Sequence, residues 1–157
     1  MKYYIIAGEA SGDLYGSKLI DEIFSIDKKA DIRFWGGDNM IKSGGYNVKH
    51  IKELAFMGFY EVLKNIKTIV RNITFCKNDI KEFNPDKIIY IDYPGFNLKI
   101  CKWAKNNGYK NYYYISPQIW AWKENRIKSI KNNIDKIFVI FPFEQEYYKE
   151  KHDMDVE

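Results

Sequence analysis

Several residue types that would indicate particular classes of protein are scarce in this sequence of 157 residues. The two cysteines, Cys76 and Cys101, lie far apart, which favours a reduced cytosolic setting over a disulfide framework. The two histidines, His50 and His152, have no partners at metal-ligand spacing, so we expect no metal site. No apolar run approaches the ~18 residues of a membrane-spanning helix. We also expect no secretory signal, because no basic, apolar and small-residue segments follow one another at the N-terminus.

Basic residues are not concentrated anywhere that would suggest a nucleic-acid partner. The formal net charge is +4, only Arg33, Arg71 and Arg126 are arginines, and the lysines are spread along the chain. Nucleic-acid binding favours clustered cations with arginine forks, so we expect no such partner. With 46% hydrophobic and 17% aromatic residues, the chain is instead expected to form a domain with a substantial core.

Short apolar segments alternate with segments of helical spacing along the whole chain. The predicted strands are residues 2–7, 32–37, 46–51, 87–92, 111–116 and 136–141, and the predicted helices cover about 14–24, 59–83, 98–106, 123–132 and 143–150. This alternation is typical of a parallel sheet covered on both faces. We therefore predict an α/β fold with a doubly wound, mostly parallel, Rossmann-like sheet, and a ligand crevice at the carboxyl ends of its strands. Residues 151–157 end where a further strand would begin, which predicts one half of a larger α/β protein.

The first strand exit carries the polar segment GEASGD, residues 8–13. Glycines there would let the backbone approach a ligand, and the following helix N-terminus would favour an anion. The segment matches neither the dinucleotide pattern G-x-G-x-x-G nor the nucleophile pattern G-x-S-x-G. An ordinary capped turn, with Ser11 or Asp13 at the N-cap and Glu9 solvated, remains an equal alternative.

Three further strand exits carry unusual residues. Asp92 follows a buried strand, where it is a candidate general base or, alternatively, a helix cap. The tryptophans of SPQIWAW, residues 116–122, either pack over the sheet edge or line a site for an apolar or sugar-like ligand. For FPFE, residues 141–144, a turn with a carboxylate at a helix N-terminus is a sufficient explanation.

Residues 57–73 combine an apolar stripe with a basic one at helical spacing. That pattern occurs in helices that lie in a membrane surface, although a core-packed helix with a solvated lysine face is the commoner explanation.

Five segments, in this order and spacing, resemble the lipid-A-disaccharide synthase family. They are AGEASGD (7–13), ELAFMGFYEVL (53–63), IDYPGFN (91–97), SPQIWAW (116–122) and FPFE (141–144). Tyr93 and Gly95 stand where the family pattern usually has an alanine and an aspartate or similar residue. WGGDNM, residues 35–40, replaces a more usual Gly-Pro-x-Met. Gly95 removes a second carboxylate near Asp92, which leaves Asp92 as the better candidate base.

The resemblance implies an inverting glycosyltransferase of the GT-B arrangement, with two Rossmann-like domains facing a cleft. Such enzymes transfer 2,3-diacylglucosamine from its UDP conjugate to 2,3-diacylglucosamine 1-phosphate, forming the β-1,6-linked lipid A disaccharide. Residues 1–157 would be the N-terminal, acceptor-side domain, with the C-terminal UDP-sugar domain absent from this chain. The implied partners are the UDP-sugar donor, the acylated glucosamine phosphate acceptor and a membrane surface, with no metal or other cofactor. The implied location is cytoplasmic, peripheral on the inner membrane of Gram-negative-type bacteria.

The site predicted from these segments has three parts. Asp92 is the expected general base, taking the proton of the acceptor 6-hydroxyl. The predicted substrate-binding residues are Glu9, Ser11, Gly12, Asn97, Ser116, Gln118, Trp120 and Trp122. Asp13 is expected to be structural. Because the implied substrate is acylated, the amphipathic segment 57–73 is the expected membrane or acyl-chain surface. Its predicted contact residues are Met57, Phe59, Val62, Leu63, Lys64, Ile66, Lys67 and Arg71.

Two other functions are compatible with the sequence. The chain could be a non-catalytic module that binds lipid or a membrane, because half a cleft cannot hold both substrates. It could also belong to another UDP-sugar enzyme of the same architecture, although AGEASGD differs from the glycine-rich first loop expected there. A serine hydrolase acting through Ser11 is disfavoured, because neither histidine lies in a motif.

Overall fold

The computed structural model describes residues 1–54, 66–121 and 123–157. Its strands are β1 (Lys2–Ala7), β2 (Asp31–Gly36), β3 (Tyr46–His50), β4 (Lys87–Ile91), β5 (Asn111–Tyr114) and β6 (Lys136–Phe138). Its helices are α1 (Ala10–Ile26), α2 (Asp38–Ser43), α3 (Ile66–Phe83), α4 (Pro94–Asn106), α5 (Ile127–Asn133) and α6 (Pro142–His152). Two short 3₁₀ helices, Ile51–Glu53 and Glu124–Arg126, complete the described elements.

The six strands form one parallel sheet in the order β3-β2-β1-β4-β5-β6. The chain starts in the middle, winds outward to β3, returns to β4 beside β1, and winds outward again to β6. This is the doubly wound, Rossmann-like arrangement, and the predicted fold class is confirmed. The winding reverses between β1 and β4, so a ligand crevice is expected where these two strands end.

The central strands are buried on both faces of the sheet, because their successive side chains enter opposite cores. In β1, Tyr4 and Ile6 pack in a core with α3, α4 and α6, whereas Ile5 and Ala7 pack with α1 and α2. All four side chains are fully buried. The near-continuous apolar runs of the central strands follow from this two-sided burial.

The predicted elements differ from the structure mainly at their ends. α2 was not predicted, because six residues hold too little helical spacing to detect. α4 begins at Pro94, four residues earlier than expected, and proline is well suited to the first position of a helix. β4 and β5 end before Asp92 and Ile115, whose backbones have positive φ angles of 44° and 66°. The polar residues at these exits therefore lie in loops beyond the sheet.

The predicted membrane-facing helix is described only in part. Met57, Phe59, Val62, Leu63 and Lys64 lie outside the described residues, as does the side chain of Ile66. In the described part of α3, Asn72, Cys76, Ile80 and Phe83 are buried, whereas Lys67, Val70, Arg71 and Phe75 are exposed. The described part of α3 thus packs one face on the core and exposes the other, so both the membrane-surface interpretation and the core-packed interpretation remain open. Of the helices in the described part of the chain, none combines the length and apolarity needed to cross a bilayer.

Candidate functional site

A cavity of about 480 Å³ opens where the winding of the sheet reverses. Its walls come from three strand exits: Glu9 after β1, the 92–95 turn after β4, and residues 115–118 after β5. Arg126, from the second 3₁₀ helix, completes the lining. Four predicted site residues, Glu9, Asp92, Ser116 and Gln118, thus meet in one cavity. The crevice expected from the topology is present at the expected edge of the sheet.

Asp92 and Tyr93 turn the chain sharply from β4 into α4. Both residues adopt left-handed backbone conformations, with φ angles of 44° and 49°. For residues other than glycine this costs about 1–2 kcal/mol each, so surrounding contacts must enforce it. The Asp92 carbonyl oxygen accepts hydrogen bonds from Asn97 Nδ2 at 2.8 Å and from Tyr113 Oη at 2.5 Å. Strain held by buried contacts at a cavity wall is typical of functional sites.

The Asp92 carboxyl is half-buried in the cavity wall. Burial raises its pKa above the usual range, although the Tyr93 backbone N–H and the charge of Arg126 act in the opposite direction. A carboxylate that holds its proton more tightly is also a better proton acceptor once it is ionised. Asp92 therefore has the location and the electrostatic surroundings of a general base.

Glu9 follows β1 at the opposite side of the cavity from residues 115–118. Partial burial raises the pKa of its carboxyl, and the nearby Asp92 carboxylate raises it further. Glu9 also lines a second hollow of about 310 Å³, with Gly8, Ala10, Ile51 and Lys52. Glu9 thus borders two concave surfaces along the same edge of the sheet.

Tyr93 lines the same cavity, and the Glu9 carboxylate acts on its phenol. Burial raises the pKa of its phenol to about 12, and Glu9 contributes to this shift. The hydroxyl is therefore protonated at neutral pH and can donate a hydrogen bond to a ligand oxygen.

Ser116 lines the cavity but is only 2% exposed. Its hydroxyl lies 2.6 Å from Tyr148 Oη on α6 and also donates to the Pro117 carbonyl oxygen. Gln118, two residues further on, is exposed. Of these two predicted contacts, Gln118 has the more accessible side chain.

Five predicted substrate-binding residues do not line this cavity or lie outside the described structure, and one of them, Trp120, is described further below. Ser11 is exposed on α1, whereas Gly12 is buried against the sheet, where a Cβ would lie 3.2 Å from Ala7 Cβ. Asn97 is fully buried beneath the 92–93 turn. Trp122 is not among the described residues. Gly12 and Asn97 thus support the walls, and neither side chain lines the cavity.

Asp13 has the structural role that was expected. Its buried carboxylate accepts hydrogen bonds from Gly37 N, Asn39 N, Asn39 Nδ2 and Met40 N at 2.7–3.0 Å. It therefore caps α2 from α1. The N-cap of α1 was predicted at Ser11 or Asp13, but it is Glu9, whose side chain forms no capping hydrogen bond.

Trp120 belongs to an exposed aromatic cluster beside the cavity. Its ring meets Phe143 edge-on at 5.0 Å, and Phe143 stacks on Phe141. Trp120 Nε1 donates to the buried Glu144, which also accepts from the backbone N–H groups of Ile140 and Phe141. Glu144 thus does more than cap a helix, because it joins the segments SPQIWAW and FPFE.

Arg126 and Tyr93 line the cavity but were not predicted as site residues. Arg126 lies only four residues beyond SPQIWAW and is one of three arginines, so its rarity was an available signal. Tyr93 was noted only as a departure from the family pattern, and its contact with the cavity depends on the left-handed turn.

No described group of three His, Cys, Asp or Glu side chains is placed to hold a metal ion. Cys76 and Cys101 are buried and unpaired, and burial raises the pKa of both thiols.

The sequence profile described as lipid-A-disaccharide synthetase matches residues 3–157. The chain belongs to this family. A lipid-A-disaccharide synthase of Trichlorobacter lovleyi is 42% identical over 146 residues, which are 93% of this chain and 38% of that protein. One of Coxiella burnetii is 39% identical over 148 residues, which are 94% of this chain and 39% of that protein. The chain therefore spans about two fifths of the length of these curated relatives.

Two solved structures resemble the fold at 10% sequence identity. A UDP-GlcNAc 2-epimerase from Neisseria meningitidis bound to UDP-GlcNAc has a TM-score of 0.60, covering 88% of this chain and 40% of that one. A putative UDP-N-acetylglucosamine 2-epimerase from Listeria monocytogenes has a TM-score of 0.64, covering 99% and 43%. At this identity the likeness concerns the fold alone, and it agrees with the Rossmann-like assignment of this family member.

Proposed function

We propose that this chain is the acceptor-side, N-terminal domain of an inverting GT-B glycosyltransferase that makes the lipid A disaccharide. The enzyme would transfer 2,3-diacylglucosamine from its UDP conjugate to 2,3-diacylglucosamine 1-phosphate. Family membership supports the reaction, and the greater length of the relatives supports a UDP-sugar domain outside residues 1–157. The observation that carries the proposal is Asp92, a half-buried carboxylate in the wall of the cavity at the sheet's switch point.

In this reaction Asp92 takes the proton of the acceptor 6-hydroxyl. The 6-oxygen then forms its bond to the donor anomeric carbon from one side. The bond from that carbon to the diphosphate breaks on the other side, and UDP leaves with the bonding electrons. The anomeric centre is inverted, and Asp92 ends the step protonated. Glu9, Gln118 and Tyr93 border the same space, and their polar groups are candidates to hydrogen-bond the sugar hydroxyls.

Membrane association is the second part of the proposal. Lys67, Val70, Arg71 and Phe75 share one exposed side of α3. Apolar and basic side chains together suit the headgroup region of an anionic bilayer, where an acylated substrate resides. A cytoplasmic protein held peripherally on the inner membrane would therefore meet its substrate at this surface.

The test of the base is Asp92→Asn in the full-length enzyme. A placed general base contributes about 10²–10⁴ in rate, so kcat should fall by that factor while the fold is retained. Activity that survives within about tenfold, with UDP release as the assay, would show that Asp92 is not the base.

The alternative of a non-catalytic lipid- or membrane-binding module is favoured by the same exposed surface of α3. It is distinguished by assaying residues 1–157 alone. Sugar transfer by this chain without any added domain would eliminate the module and also the need for a separate donor domain.

A further inference from the structure

The turn that carries Asp92 is held from beneath by two buried side chains that do not line the cavity. Asn97 Nδ2 and Tyr113 Oη both donate to the Asp92 carbonyl oxygen, at 2.8 and 2.5 Å. Asn97 comes from the first turns of α4, and Tyr113 comes from β5. Two separate elements therefore fix one backbone atom of the proposed base.

This backbone atom belongs to the strained part of the turn. Asp92 and Tyr93 are consecutive residues with positive φ, and Tyr93 precedes Pro94, where a right-handed helical conformation is disfavoured. Such a conformation persists only where neighbouring groups impose it. The two donors to the Asp92 carbonyl oxygen are well placed to do so, because both side chains are fully buried and their rotamers are fixed by packing.

Asn97 also connects the two strand ends that flank the cavity. Its Nδ2 lies 3.4 Å from the Ile91 carbonyl oxygen and 3.5 Å from that of Ile6. Three carbonyl acceptors fix the orientation of the amide, and its Oδ1 is left buried without a hydrogen-bond partner among the described residues. A buried unsatisfied acceptor is unfavourable for folding, so the amide orientation serves the carbonyl acceptors at the strand ends.

Tyr113 remains a hydrogen-bond donor at every pH at which the protein would be assayed. Burial raises the pKa of its phenol far above the usual value, and the nearby Cys101 and Asp92 groups raise it further. The phenol therefore stays protonated, and its hydrogen bond to the Asp92 carbonyl oxygen is not lost on titration of the cavity.

We infer that Tyr113 and Asn97 are positioning residues that hold the Asp92–Tyr93 turn in its left-handed conformation and so keep the Asp92 carboxylate in the cavity wall. The inference rests on the proposed function for its effect on catalysis. Its structural part, the placement of the carboxylate, can be measured without substrate. Loss of either donor lets the turn relax toward extended backbone, which moves the carboxylate toward water.

The test is Tyr113→Phe, which removes one oxygen and keeps the ring stacked on Tyr90. Tyr90→Phe is the matched control, because Tyr90 is also fully buried and its hydroxyl donates to Asn111 Oδ1, away from Asp92. Both variants lose one buried hydroxyl and should lose similar thermal stability. Tyr113→Phe alone should lower kcat about 10–100-fold, the scale expected for misplacement of a reacting group, with KM within about threefold.

A second readout is the titration of Asp92, which carboxyl ¹³C NMR monitors in the full-length enzyme without substrate. Among the residues that the structure describes, the ionisable groups that act on this carboxyl or adjoin it are Glu9, Tyr93, Tyr113 and Arg126. In Tyr113→Phe the carboxylate becomes more hydrated, so the Asp92 pKa should fall, and the acid limb of the kcat profile should move to lower pH. Tyr90→Phe should leave both unchanged.

The possible outcomes separate the two claims. If Tyr113→Phe and Tyr90→Phe have the same Asp92 titration and the same kcat, the positioning role is wrong. If the Asp92 pKa falls in Tyr113→Phe but Asp92→Asn keeps its activity, the positioning role stands and the proposed base is wrong. If Tyr113→Phe does not fold, Asn97→Ser is measured in the same way, and an unchanged Asp92 titration there overturns the inference.

Discussion

The ring of Tyr93 lies directly against the backbone of Gly8, so that a Cβ at position 8 would overlap three of its ring carbons. The same ring stacks on Phe96 at 5.7 Å. The exits of β1 and β4 are thus packed together at the cavity, and the glycine is required because a neighbouring side chain occupies its Cβ space.

Gly8→Ala should therefore destabilise the protein by about 1–3 kcal/mol, as overpacking does. Most of this loss should disappear when Tyr93 is also replaced by alanine, since the overlapping ring is then absent. The measurement is urea unfolding of the two single variants and the double variant. Gly95→Ala is the control, because nothing lies within 4 Å of its Cβ position, and it should be neutral or slightly stabilising. Equal losses from Gly8→Ala with and without Tyr93 would contradict the packing explanation.

Asp13 connects α1 to the N-terminus of α2 through four hydrogen bonds. Asp13→Ala leaves the N–H groups of Gly37 and Met40 without their acceptor, and it should lower the free energy of unfolding by about 2–3 kcal/mol. Asp21→Ala, which removes an exposed aspartate from the same helix, should stay within about 0.5 kcal/mol of the parent. The free energies of unfolding are obtained from denaturant titrations. A loss of stability for Asp13→Ala as small as that for Asp21→Ala would mean that the hydrogen bonds of Asp13 contribute little.

The sequence was sufficient to predict the fold because two features of the central strands, their apolar residues and their alternation with helices, indicate the same sheet. Residues 88–91 are apolar, as expected for a strand buried on both faces, and the alternation with helices permits few arrangements other than a doubly wound sheet. It was also sufficient to bring Glu9, Asp92, Ser116 and Gln118 to one edge, because parallel strands end together.

The remaining features depend on tertiary contacts that have no local pattern. Asn97 was predicted to touch substrate, but its amide is turned to the carbonyls beneath the 92–93 turn. Tyr113 donates a hydrogen bond to the carbonyl oxygen of Asp92, which lies 21 positions earlier in the chain. In the sequence Glu144 looked like an ordinary helix carboxylate. Its hydrogen bond from Trp120 could not be predicted, because the two residues lie 24 positions apart. Spacing along the chain does not encode these pairings.

The raised pKa of Asp92 also has a consequence for stability. The folded protein holds this proton more tightly than the unfolded chain, so stability is lost as pH rises through the Asp92 pKa. Asp92→Asn removes the buried charge, and asparagine tolerates the left-handed conformation, so the variant should be more stable than the parent at pH 7. The difference in urea midpoint should shrink as pH falls toward 4.

Asp135→Asn tests the sign of that argument. Although burial raises the pKa of Asp135, bonds from Lys105 and the Asn111 backbone outweigh it and hold the pKa below its usual range. The ionised carboxylate is thus stabilising, and Asp135→Asn should lower stability at pH 7, with less effect at low pH. As pH falls, the stability relative to the parent should decrease for Asp92→Asn and increase for Asp135→Asn. A change in the same direction for both variants would contradict the burial explanation for Asp92.

Glu144 should contribute to stability chiefly by joining Trp120 to the 140–141 backbone. Glu144→Gln keeps an acceptor for the N–H groups of Ile140 and Phe141 but places an N–H group against Trp120 Nε1. We expect a loss of about 1 kcal/mol, which should become smaller in a Trp120→Phe background, and a double-mutant cycle measures this coupling. Glu146→Gln, at an exposed position of α6, is the control and should be neutral. Equal costs in both backgrounds would exclude a contribution from the Trp120 bond.

The exposed side of α3 leads to a prediction about membranes. Lys67→Gln combined with Arg71→Gln should weaken binding to vesicles that contain phosphatidylglycerol, because each basic residue near an anionic surface contributes about 1 kcal/mol. The two changes together correspond to about a 30-fold loss of partitioning. The matched control is Lys77→Gln with Lys81→Gln, the same charge change on the same helix, where both lysines lie over the Trp103 ring instead. If α3 faces the bilayer through Lys67 and Arg71, sedimentation with vesicles should separate the two pairs. Equal losses would indicate only a general effect of net charge, and the assignment of this face to the membrane would then be wrong.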